Sequence, residues 1–156
     1  MAKIFETSAD ISELAHKKFE ETGLQQMGVT LKVMSLTKAK DVLKVSRANA
    51  TTEFLTKKSD VITLYVYEDV FDRLTDAQKE MIMEGVLSNV SYDGEKDKLI
   101  IDNRRYGELV RMKHKFPDYA DVLELTLVIM DEIIEEEKAR KEEEREAKKL
   151  AKKNKQ

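Results

Sequence analysis

The chain has 156 residues, 41% of them hydrophobic and 38% charged, with a net charge of -3 and no cysteine. That suits one compact domain with a real core plus a strongly solvated segment. The missing cysteine excludes disulfides, thiolate zinc sites and thiol nucleophiles and fits a reducing, intracellular setting, while the net charge excludes bulk attraction to nucleic acid.

The opening MAKIFETSADISELAHKKF has no apolar run of signal-peptide type. No stretch approaches the roughly 20 apolar residues that span a bilayer, so the chain reads as soluble and cytoplasmic, with no membrane partner. From Ser8, the spacing of Ile11, Leu14, Ala15 and Phe19 predicts a helix that Gly23 ends. GVTLKVMSL (28–36) alternates Val29, Leu31 and Val33 against Thr30, Lys32 and Met34, the pattern of a strand with one wet face. A short strand at Val42–Val45 and a weak helix in ANATTEFLTKKSD (48–60) follow. VITLYVYED (61–69), dense in β-branched and aromatic residues, predicts a central strand.

Thr75-Asp76-Ala77-Gln78 has the form of a capping box and predicts a helix over 75–91 that buries Ile82, Met83, Val86, Leu87 and Val90. Gly85 lies inside it, where glycine is about 1 kcal/mol worse than alanine. YDGEKDK supplies turn chemistry before the strand LIID (99–102), and Pro117 suits the first turn of a last helix that is apolar from Val122 to Ile134. Beyond Ile134 the sequence EEEKARKEEEREAKKLAKKNKQ has no apolar seam, which excludes a coiled coil. Acid-first pairs such as Glu136 with Arg140, Glu137 with Lys141 and Glu144 with Lys148 support a solvated helix. The expected architecture is α+β: a small mixed or antiparallel sheet flanked by helices in a domain at 1–134, then a charged helical extension at 135–156.

Few residues carry chemistry. His16 and His114 have no ligand-like neighbour at i+4 and read as surface histidines. Glu80 and Glu84 share a helical face, which on a solvated helix serves solubility. Ser88 and Ser91 have no nearby histidine, and no nucleophile elbow or phosphate-binding loop is present. The basic stretch Arg104, Arg105, Arg111, Lys113, His114 and Lys115 offers phosphate or partner contacts, with Arg104, Arg111 and Lys115 on one helical face and Tyr106 close by for stacking. Met81, Met83, Met112 and Met130 are expected to fill core gaps.

The strand VITLYV, the approach Phe71, Leu74, Thr75, Asp76, Ala77, Gln78, and the exit Asp93, Lys98, Leu99, Ile100, Ile101 together resemble a phage metallopeptidase family of zincin-like (SprT-like) fold, over about residues 28–115. In that family the helix bears H-E-x-x-H, whose histidines four residues apart bind zinc while the glutamate polarises the bound water. On that register the three positions are Gly85, Val86 and Asn89, so the motif is degenerate. The resemblance implies no cofactor, no metal and no catalytic residue in this chain. It makes Gly85 a vacated ligand position beside a cleft wide enough for imidazoles; the competing reading is that a neighbour packs closely there. The implied function is that of a non-catalytic phage accessory protein, in the host cytoplasm or with the virion, that binds a macromolecule, in the first place a protein. Nucleic acid bound through 104–115 is the alternative, and a metal-dependent hydrolase with a relocated site is the second.

Overall fold

The run of β-branched residues predicted to be central is the spine of the sheet. In the computed structural model, which describes residues 2–57 and 60–155, that strand is β4 (Val61–Tyr67), paired on both sides. The four-stranded sheet has the order β1-β2-β4-β3, with β1 at Ile4–Glu6, β2 at Thr30–Leu36 and β3 at Leu43–Arg47. β2 runs parallel to β4, while β1 and β3 lie antiparallel to their neighbours, so the sheet is mixed. β1 escapes sequence reading because it is three exposed residues long.

Register separates the two faces. Leu31, Ile62, Leu64, Val66, Leu43 and Val45 share one face, are all buried, and are covered by α1 (Ala9–Glu21) and α4 (Asp76–Leu87). Helix α1 turns Ile11, Ala15 and Phe19 inward, as the spacing predicts. The opposite face carries Lys32, Met34, Tyr65 and Lys44. The short α2 (Ala50–Thr56) buries none of its residues. The weak helix expected over 48–60 is thus present in part, and its Lys58 and Ser59 lie outside the described residues.

After α3 (Glu68–Phe71), the capping box forms as read: the Gln78 N–H donates to Thr75 Oγ1 at 3.2 Å and the Thr75 N–H to Gln78 Oε1 at 3.0 Å. Helix α4, however, stops at Leu87 and not near 91. The Ser88 hydroxyl donates back to the Gly85 carbonyl at 2.6 Å, the Asn89 N–H turns to the Val86 carbonyl, and Val90 pairs with Ile101. Gly85 therefore sits in the last turn of α4. Val90–Asp93 (β5) and Lys98–Ile101 (β6) form a separate hairpin whose turn is held by Asp93 Oδ1, which accepts from the Glu95 and Lys96 N–H groups.

α5 (Arg105–Lys113) and α6 (Tyr119–Asn154) complete the chain, with Pro117 in the connection between them and not in the first turn of α6. Helix α6 is continuous; its last buried residue is Ile133, and it runs on through the charged extension. Among the described residues no helix is long and apolar enough to cross a membrane.

Candidate functional site

Four residues from three helices converge at the end of α4. Gly85 and Asn89 come from that end, Glu108 from the middle of α5, and Tyr119 from the first turn of α6. A Cβ built on Gly85 would fall 2.7 Å from Tyr119 Cε2, with Cζ and the hydroxyl nearer still. Tyr119 is only 1% exposed, so the ring has nowhere to retreat. This corrects the expectation of open space and a wide cleft at Gly85: the neighbour that packs there is an aromatic side chain.

The tyrosine is held by a buried carboxylate. Its hydroxyl donates to Glu108 Oε2 at 2.7 Å, Arg105 Nη1 donates to the same oxygen at 2.8 Å, and Asn89 Nδ2 donates to Oε1 at 2.9 Å. Asn89 Oδ1 in turn accepts from Arg111 Nη2, and Arg111 Nε reaches Ser88 Oγ at 3.2 Å. Glu108 is 3% exposed, and a carboxylate that deep is stable only when its oxygens are filled by donors, as here. Burial, then the Glu108 charge, then the hydrogen bond to it push the Tyr119 phenol pKa well up. Asn89 is thus a bridge between α4 and α5, and Val86, 3% exposed, is core. Among the described residues no three His, Asp or Glu side chains gather as a metal-binding group.

Much of the basic stretch is spent on internal pairs and does not form a free cationic face. Arg104 caps α5 and bonds Asp102, whose carboxyl its side-chain hydrogen bonds hold down at about 2. Arg105 joins Glu108 to Asp41 at 2.9 Å, Arg111 turns to Asn89, and Lys115 lies past α5 beside Glu84. Arg104, Arg111 and Lys115 therefore do not make the stripe that helical spacing predicted. Lys113 and Tyr106 are exposed.

Beside this network runs a hollow of about 370 Å³ walled by Val42, Leu43, Val86, Leu109, Leu123 and Leu127, with the Asp41–Arg105 pair on its lining. It abuts β3, an edge strand of the sheet. The sequence reading missed Glu108, Tyr119 and Asp41. Glu108 left a trace: an acid three residues from arginine on either side, Arg105 and Arg111, on one helical face. Tyr119 left none, because its role depends on a helix crossing more than thirty residues away in sequence from Gly85. Comparison of the chain with protein-family models, with curated proteins and with solved structures gives no match.

Proposed function

We propose that the chain is a non-catalytic, phage-type accessory protein, built on a metallopeptidase-like scaffold and acting by binding a protein partner. The observation that carries this reading is the occupancy of the degenerate motif: Tyr119 fills the space next to Gly85, and Asn89 is tied to Glu108 and Arg111. A side chain already committed to a buried structural network is not offered to a metal or a substrate. The apolar hollow beside β3 supports a protein partner, since its walls suit an aliphatic or aromatic side chain. The pairing of Arg104, Arg105, Arg111 and Lys115 argues against nucleic acid at 104–115.

Two measurements test the reading. Metal analysis of the purified protein should find no stoichiometric zinc; one equivalent that survives chelation would restore a hydrolase. Capture of partners from the native cell, after nuclease treatment, should retain a discrete protein that Leu127→Glu releases, Leu127 being 53% exposed on the wall of the hollow.

A further inference from the structure

The sheet face turned away from α1 and α4 gathers cations that the chain otherwise neutralises. Lys32 on β2, Lys44 on β3, and Lys38 and Lys40 in the connection between those strands are all exposed, and none of them pairs with a carboxylate among the described residues. The acids at the margin are committed elsewhere: Asp41 to Arg105, and Glu53 and Asp60 to Arg47. Glu6, opposite Met34, is the acid at the far β1 edge of this face. On a chain of net charge -3, four unpaired lysines on one face are a local reversal of sign.

Tyr65 stands in the middle of them. It lies directly across from Lys44 on β3 and from Met34 on β2. Two hollows share it as a wall: one of about 360 Å³ bordered by Lys38, Lys40 and Lys44, the other of about 430 Å³ bordered by Lys32, Met34 and Leu55. An aromatic ring between two depressions, with ammonium groups along the rim, is the arrangement that lets successive bases stack while the backbone follows the positive charge. A duplex keeps its base faces closed and cannot use the tyrosine.

The geometry points to this lysine-rimmed sheet face, partly covered by α2, as a binding surface for single-stranded nucleic acid, with Lys32, Lys38, Lys40 and Lys44 meeting phosphates and the half-buried Tyr65 stacking a base from the wall of its two hollows. This surface is on the other side of the sheet from α4 and does not depend on the hollow or on the network at Gly85. It also relocates the nucleic-acid contact from 104–115, where the cations are paired, to a face where they are not.

The test is fluorescence anisotropy of a labelled twelve-nucleotide oligo-dT with the full chain, repeated across salt. Three to four phosphate contacts give a slope of log K against log salt of about -2 to -3. Changing Lys38, Lys40 and Lys44 together to Gln should bring that slope to about -1 and weaken binding at least tenfold at low salt. Tyr65→Ala should weaken it roughly tenfold, whereas Tyr65→Phe should not. The lysine variant changes only exposed side chains, so it decides the matter even if Tyr65→Ala fails to fold. The proposal is overturned by no binding at 50 mM salt, by a lysine variant that binds as well as the parent, or by a duplex of equal length binding equally. It is also overturned if changing Lys148, Lys149, Lys152 and Lys153 to Gln abolishes binding, which would place the attraction in the charged extension.

Discussion

Tyr119 and Gly85 interlock: the ring of the first residue of α6 occupies the space that any side chain at position 85 would need. A glycine near a helix end that would otherwise be about 1 kcal/mol worse than alanine is retained because the ring requires its bareness. Gly85→Ala should therefore destabilise the fold by about 1–3 kcal/mol, the usual effect of overpacking, and not stabilise it. Denaturant midpoints measure this. The same change in a Tyr119→Ala background should have a much smaller effect, because the partner in the clash is gone. Placing His at 85 and 89 with Glu at 86 should unfold the domain or leave it without zinc.

Glu108 is the common acceptor for three elements, so its removal takes a partner from Asn89, Arg105 and the Tyr119 hydroxyl together. Glu108→Ala should reduce stability by about 1–3 kcal/mol for each buried donor left without a partner, Asn89 Nδ2 and the Tyr119 hydroxyl, while the half-exposed Arg105 keeps Asp41 and solvent. Glu108→Gln, which keeps two polar atoms in place, should have a smaller effect. Equal effects of the two in thermal melts would mean that the site senses volume and not hydrogen bonding.

Alkaline titration offers an independent readout. The Tyr119 phenol stays protonated in the fold well above its ordinary value of 10.0, and the Tyr67 phenol is also raised, by burial and then by the Asp69 charge. A group whose folded pKa is raised contributes its full stabilisation below the unfolded pKa and loses it as pH rises above that value. Stability should thus fall as pH climbs above about 10. In Tyr119→Phe the starting stability should be lower by about 1 kcal/mol for the lost hydrogen bond, and the alkaline decline shallower. An identical decline in variant and parent would remove Tyr119 from the linkage.

The extension should be dispensable for folding, with one refinement to its boundary. Arg73 reaches Glu136 through both terminal nitrogens, at 3.2 and 2.8 Å, so the last tie between α6 and the rest of the chain lies a turn beyond the last buried residue. Both partners are exposed, and such pairs, screened by solvent, contribute little to stability. Truncation after Glu137 should leave the melting temperature unchanged while the helical circular-dichroism signal falls. Truncation after Glu135 should lower it by a few degrees at most. A larger loss from the longer fragment would place Leu150 against the domain or a second copy.

What could be read from the sequence was what depends on neighbours in the chain. The capping box at Thr75, the spacing of Ile11, Ala15 and Phe19, and the β-branched run of β4 are local patterns, and each specifies its element. The break between α4 and β5 was illegible because Val90 satisfies a helical stripe as well as a strand, and only its pairing with Ile101 decides. The basic stretch misled for a related reason: charge counts in sequence do not show which carboxylates fold back, and Asp41 and Glu84 come from elsewhere. Phosphate-facing lysines were scattered over β2, β3 and their connection, so no run announced them. Whether Gly85 was bare for packing could be posed from sequence but not answered, since Tyr119 arrives by a helix crossing.

The strand order carries a consequence for how the chain assembles. β2 and β3 are neighbours in sequence yet never touch; β4 lies between them, so their backbones stand about two strand spacings, roughly 10 Å, apart. They cannot zip as a hairpin and wait for the rest. Only when β4 has been made can it wedge into the gap, its Tyr67 N–H meeting the Val42 carbonyl at one end and the Ala48 N–H meeting the Val61 carbonyl at the other. Until β4 is made, residues 1–60 therefore hold β2 and β3 with no strand between them, β1 pairing with β2 alone on its far side, and the sheet closes in a late, non-local step. β4 is the keystone in time as well as in space: changes that weaken it should slow folding more than equal losses in α5 or α6.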